Sequence, residues 1–383
     1  MAASLSRRSI VWVLFRIGLL GFGGPFVAIA MMEEEFVARR KWLTPEKFGE
    51  LFAICKLLPG PIGPQMAISV ARAMAGTLAG LLGGILFILP AIVLVTGIAV
   101  LYTSGHEMPK QEVFFKGLQL GALAAIAVSV YQLFKPIVGD PKSWLIAALN
   151  CTVTFFVPAY EPLYILGTGF AGVLRNRPAG GPIRTKEPPS GKLHGVLVTA
   201  GVAGAFPASS KLMPLFFWTC LKSSAFIFGT GLAILPLLEH SFVAEHHWIT
   251  HAQFMDSIAV GQVTPGPFMT SVSFVGYLMA GFKGAFVGSV GIFLPSFINV
   301  LIIVPMVWKR FFAGSRSVPF FMAWALPAVV GCISAAALKL GLLSVLRPMD
   351  GVVLVVGILA LVTRVVPGWA VIIGSGVLNL ILP

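Results

Sequence analysis

Two Pro-Gly-Pro triplets, Pro59-Gly60-Pro61 and Pro265-Gly266-Pro267, interrupt apolar stretches of this 383-residue chain. Proline removes a backbone donor and clashes with the preceding turn, so neither stretch can be one unbroken helix. A half-helix that starts after the triplet directs unpaired N–H groups and a positive dipole end at the break, where an anion can sit with little other help. A kink that merely relieves packing is the plainer explanation of one triplet. Its recurrence at the matching place of a second copy favours a binding role. Gly21-Phe22-Gly23-Gly24-Pro25 and Phe228-Gly229-Thr230-Gly231 form a second matched interruption, where glycine admits close approach by either a helix or a ligand.

Charged and polar residues flank these breaks. Arg16 and Lys222 lie seven residues before Gly23 and Gly229, about two helical turns away on the same face. Ionisable groups in apolar segments are costly and by default suggest function, although Arg16 is near enough to a segment end to snorkel. Lys56 precedes the first triplet, and Gln262 holds the equivalent place before the second. An anion held there needs donors from several directions, and Arg16, Lys56 and Lys222, with Gln262, Thr264 and Thr270, could supply them beside the helix tips. The acids repeat as Glu33/Glu239 and Glu50/Asp256. They could carry protons if dehydrated; alternatively, they neutralise nearby cations or lie at an interface. Arg72 reads as a segment-end residue. Thr44-Pro45-Glu46 and Thr250 read as helix N-caps. His246, His247 and His251 include an i, i+4 pair at zinc spacing, but His246 and His247 align with Arg40 and Lys41, ordinary flanking cations. No nucleophile–base set, CxxC pair or phosphate loop is present, so nothing points to an enzyme, a metal or a cofactor.

The elements that must position these residues follow from composition. The chain is 57% hydrophobic and 11% charged, with mean hydropathy +0.93; soluble domains carry about 25% charged residues. Apolar runs of the length that crosses a bilayer recur throughout. The net charge of +13 is spread over segment ends and one central cluster, which fits the positive-inside rule and not a nucleic-acid stripe. The four cysteines lie in or beside apolar runs and read as small packing residues. Arg7-Arg8 before an apolar run resembles a signal sequence, but the run is too long for one and has a counterpart in the second half.

Shifting the chain by 206 residues aligns Arg16–Pro61 with Lys222–Pro267 without a gap, with thirteen identities that include Trp42/Trp248, Glu33/Glu239 and both Pro-Gly-Pro triplets. The expected architecture is therefore an all-α polytopic membrane protein of two inverted-topology repeats with helices broken at Pro-Gly-Pro, about 13 membrane segments in all. The segments are expected over 9–31, 48–75, 77–103, 113–134, 143–158 and 160–174, then 193–208, 212–238, 254–281, 284–308, 317–340, 349–364 and 367–382. The domain reading is a first repeat (1–174), a basic cytoplasmic link (175–192), a connecting membrane segment (193–211) and a second repeat (212–383). Charge favours a broken span at each triplet over a re-entrant hairpin, because one hairpin would move Lys135 and Lys142 outside.

The series Phe22-Gly23-Gly24-Pro25, Trp42-Leu43-Thr44 and Pro59-Gly60-Pro61, echoed in the second half, resembles the chromate ion transporter family in its long, two-repeat form. The resemblance covers nearly the whole chain. It implies a plasma-membrane carrier that exports chromate using the proton-motive force, with sulfate as a competing analogue. The partners it implies are a small oxyanion and the lipid bilayer, with a homodimer left open. An oxyanion uptake permease or an anion channel of the same fold remains the alternative. The second half departs from the pattern at Gly229-Thr230-Gly231 and at Gln262, so the halves need not bind substrate equally.

Overall fold

The computed structural model describes residues 6–22, 25–104, 110–135, 140–175, 212–225, 231–312, 317–363 and 366–381, and these are helical with no strand among them. In the first half the helices are α1 (Arg7–Leu20), α2 (Pro25–Glu33, continued as a π-helix to Arg39), α3 (Pro45–Leu57), α4 (Ile62–Ala75), α5 (Thr77–Thr103), α6 (Gln111–Phe134), α7 (Pro141–Phe156) and α8 (Glu161–Arg175). The second half has α9 (Leu212–Ser224), α10 (Leu235–Glu239, then a π-turn to Glu245), α11 (His251–Val263), α12 (Ser271–Ile298, continued as a π-helix to Phe312), α13 (Ser317–Ser344), α14 (Pro348–Thr363) and α15 (Gly368–Ile381). The expected segment 193–208 and most of the basic link lie outside the described residues.

Segments without a Pro-Gly-Pro or Gly-rich break form where hydropathy places them: 77–103 coincides with α5, and α6, α7, α8, α14 and α15 each start within two residues of expectation. The broken segments divide. The 9–31 segment is α1 and α2, 48–75 is α3 and α4, and 254–281 is α11, the short 3₁₀ turn Phe268–Thr270 and the first part of α12. Thr44 accepts from the Lys47 amide at 3.3 Å, and Thr250 forms a full capping box with Gln253, so both N-caps stand as expected.

One expectation needs correction. The triplet does not join two halves of a span: Cys55 Sγ of α3 lies 3.2 Å from Ser69 Oγ of α4, fourteen residues on. Along one helix that separation would be about 21 Å, so the chain folds back as a hairpin at Pro59-Gly60-Pro61. Among the described residues four helices are long and apolar enough to cross a membrane: Thr77–Thr103, Gln111–Phe134, Phe268–Met306 and Pro319–Ser344. The third is itself folded at Ala280-Gly281, where Gly281 has φ +59° and Gly276 and Gly284 lie backbone to backbone. Helices of 13 to 16 residues are too short for a core roughly 30 Å thick. Hydropathy measures how apolar a run is, not whether the chain reverses within it.

The halves interlock. Helix α6 packs on α14 and α15 of the other half, and its counterpart α13 packs on α7 and α8. At the centre α5 crosses α12, with Gly80 facing Leu301 and Gly84 facing Phe297, so these equivalent helices run antiparallel. Leu14 and Gly18 of α1 face Gly83 and Phe87, and Phe216 and Cys220 of α9 face Gly288 and Gly291; each first helix thus runs parallel to its own long helix. The outside is apolar: Leu101, Phe156, Phe282, Phe286 and Leu346 are all largely exposed, a surface suited to lipid.

Candidate functional site

Each triplet is seated in the opposite half. Gly60 (φ +113°) lies against Ser296 of α12, immediately after Pro295, and Gly266 (φ +95°) lies against Ala91 of α5, immediately after Pro90. The Gly266 N–H also donates to the Gly21 carbonyl at 3.1 Å, which brings the second triplet onto the first half's Gly-rich break. Gly60, Pro61, Pro265, Gly266, Pro267, Thr264 and Thr270 are buried, and Pro59 is half-buried. By helix geometry the first N–H groups of α4 and of the Phe268–Thr270 turn point at these breaks.

The two breaks differ in lining. Around the first, the Pro59 carbonyl accepts from Gln65 Nε2 and Asn299 Nδ2, both at 2.6 Å, while Gln65 Oε1 and Ser296 Oγ have no partner among the described residues. Ala91 stands where the second break would need Ser296's hydroxyl. There Thr264 and Thr270 donate to the carbonyls of Val260 and Pro267, and Gln262 Nε2 has no partner among the described residues. Polar residues inside apolar runs, Gln65 and Asn299 above all, were the signal available in the sequence.

Arg16, Lys56 and Lys222 are exposed. Arg16 shares its face with exposed Trp12, Leu19 and Leu20, and Lys222 shares its own with exposed Leu215 and Trp218. Lys56 lies over the Phe52 ring at 4.6 Å. Neither Arg16 nor Lys222 has a hydrogen bond or ion pair among the described residues. Gly23, Gly24 and Gly229 lie outside the described residues.

The repeated acids divide by half. Glu33 and Glu50 are exposed, Glu50 pairing with Lys47 at 2.9 Å. Glu239 and Asp256 are buried. Glu239 is neutralised by Lys339 at 2.6 Å, with His251 at 3.8 Å. Asp256 instead accepts from two neutral donors, Tyr102 Oη of α5 and Gln119 Nε2 of α6, both at 2.9 Å, with Lys116 within electrostatic reach. His246 stacks on Trp248 and His247 bonds the Val243 carbonyl; no cluster of three metal-ligating side chains occurs among the described residues.

A family model described as "Chromate transporter" matches residues 8–173 and again 215–380. A chromate transport protein of Cupriavidus metallidurans is 30% identical over 88% of this chain and 84% of its own length. A probable chromate transport protein of Synechococcus elongatus is 28% identical over 88% and 85%, and a chromate transport protein of Pseudomonas aeruginosa 28% over 85% and 79%. No solved structure matches.

Proposed function

This chain belongs to the chromate transporter family, a membrane-integral transport family, and on that premise we propose a secondary carrier that exports chromate by alternating access. Sulfate, with nearly the same shape and charge, is the competing substrate, and the proton-motive force across the plasma membrane is the drive. The observation that carries this reading is the exchanged seating of the two triplets. A rocking motion of one half against the other must alter both breaks at once, because each is held partly by the opposite half.

Antiparallel α5 and α12, with α1 and α9 each parallel to its own long helix, support halves that enter the membrane from opposite sides. If α1 and α2 fold back as α3 and α4 do, the two hairpins cancel. Lys135 and Lys142 then return to the side of Arg7-Arg8.

The substrate is held at the helix tips, where Gly60 and Gly266 keep side chains clear of the break. Lys56 and Gln262 stand at the two mouths, and Arg16 and Lys222 draw the dianion in from the exposed faces. The first break carries the richer polar lining and is the main site. Of the four repeated acids, Asp256 suits proton coupling: it is buried, and its hydrogen-bond partners are neutral.

Flux of labelled chromate and sulfate into proteoliposomes, with and without an imposed pH gradient, tests the reading. A carrier shows saturable flux that responds to the gradient. Flux that follows the anion's electrochemical gradient alone makes it a channel.

A further inference from the structure

Glu161 opens α8 and is 3% exposed, yet no cation touches it among the described residues. Among the described residues it receives one hydrogen bond, from the Leu237 backbone N–H, and its Oε2 has no partner. Beside it lies a cavity of about 10 Å³ lined by Glu161, Ile165, Ser223, Ile234 and Leu237. Ser223 Oγ, on the facing wall, is likewise without a partner. That volume is about one water probe, and two polar partners are enough to hold a water there.

Among the described residues the neighbouring elements bring no counter-charge. From α13 comes Cys332, within electrostatic reach and bonded to Thr154 of α7 at 3.2 Å; Cys151 of α7 lies behind it. On α10, Glu239 is already taken by Lys339 and His251. On α9, Lys222 adjoins Ser223 but is exposed, and on Glu161's own side Tyr164 bonds the Val157 carbonyl. Cys332 stands near the middle of the apolar span Pro319–Ser344. The equivalent place in the other half, where α1 ends against the start of α15, holds the ring pair Phe22–Trp369. A buried carboxyl without a cation is least costly as the neutral acid.

We propose that Glu161 is a proton-binding site of the transport cycle: a neutral carboxylic acid joined through one water to Ser223. On release the acid O–H bond breaks and its proton passes to the water, which gives up one of its protons to solvent water when the site opens; the carboxylate left behind accepts from Leu237 N–H and from the remaining water, itself held by the Ser223 hydroxyl. The site lies where the last helix of the first half meets the break between α9 and α10, so relative movement of the halves opens or closes it. Its coupling role rests on the carrier reading above; its occupancy by a proton does not.

Infrared difference spectra of the full chain in lipid, recorded across a pH titration, test the occupancy. The wild type should show a protonated-carboxyl band that Glu161→Gln removes and Asp256→Asn leaves, and Ser223→Ala should shift that band. In proteoliposomes Glu161→Gln should lose at least tenfold of gradient-driven sulfate accumulation yet keep sulfate–sulfate exchange. An unchanged band in both Glu161→Gln and Ser223→Ala, or wild-type accumulation by Glu161→Gln, overturns the proposal, as does flux that needs Na⁺ with no protonated-carboxyl band. Should Glu161→Gln fail to fold, the Ser223→Ala shift decides alone. Absence of all wild-type oxyanion flux sinks the carrier reading but leaves the infrared result standing.

Discussion

The amide of Gly266 donates to the carbonyl of Gly21 at 3.1 Å, joining a turn in the second half to the helix break of the first. Gly266 has φ +95°, and a Cβ there would stand 2.8 Å from the Ala91 methyl; at Gly60 (φ +113°) it would stand 2.7 Å from Gln65 Nε2. Gly60→Ala and Gly266→Ala should therefore each lose most chromate transport and about 1–3 kcal/mol of stability through backbone strain. Gly97→Ala, where nothing lies within 4 Å, is the control and should keep both. Vesicle uptake and thermal unfolding in detergent report the two effects.

Fold-back at the first triplet can be tested covalently. In a chain with Cys151, Cys220 and Cys332 replaced by alanine, Ser69→Cys should form a disulfide with Cys55 under mild oxidation, since their side chains are 3.2 Å apart. A continuous helix would hold them about 21 Å apart, beyond disulfide reach. Absence of the bond, scored by alkylation mass shift, argues for an unbroken span.

Lys56, Arg16 and Lys222 are exposed, so removing them should leave folding intact. Lys56→Gln, which copies Gln262 of the second half, and Lys222→Ala should each reduce chromate flux at least tenfold with normal membrane abundance. Wild-type rates in both would remove these cations from the substrate path.

Asp256→Asn keeps an acceptor for Tyr102 or Gln119 but cannot exchange a proton. Its transport should lose dependence on an imposed pH gradient. Exposed Glu50, its counterpart, is already paired with Lys47, and Glu50→Gln should transport like wild type.

The Glu239–Lys339 pair is structural on this reading. Lys339→Ala strands a buried carboxylate and should cost about 2–3 kcal/mol, less than a fully buried pair because the lysine is part-exposed. Adding Glu239→Gln should restore much of the lost melting temperature.

Composition and repetition alone determined that the chain is helical, lives in lipid, consists of two copies and breaks its helices at Pro59-Gly60-Pro61 and Pro265-Gly266-Pro267. These are local properties: proline geometry and apolar runs do not depend on what packs against them. The repeat also singled out Glu239 and Asp256, but could not tell them from Glu33 and Glu50, because identity in an alignment carries no information on burial. Only the tertiary structure decided that the first triplet reverses the chain, that each triplet is received by the other half, and that Gln65, Ser296 and Asn299 gather around one break and not the other. It also brought Glu161 and Ser223 to one cavity with no cation among the described residues that line it. Such contacts join residues far apart in the chain, and no pattern of spacing along one strand of sequence encodes which distant side chain, if any, will meet a buried polar group.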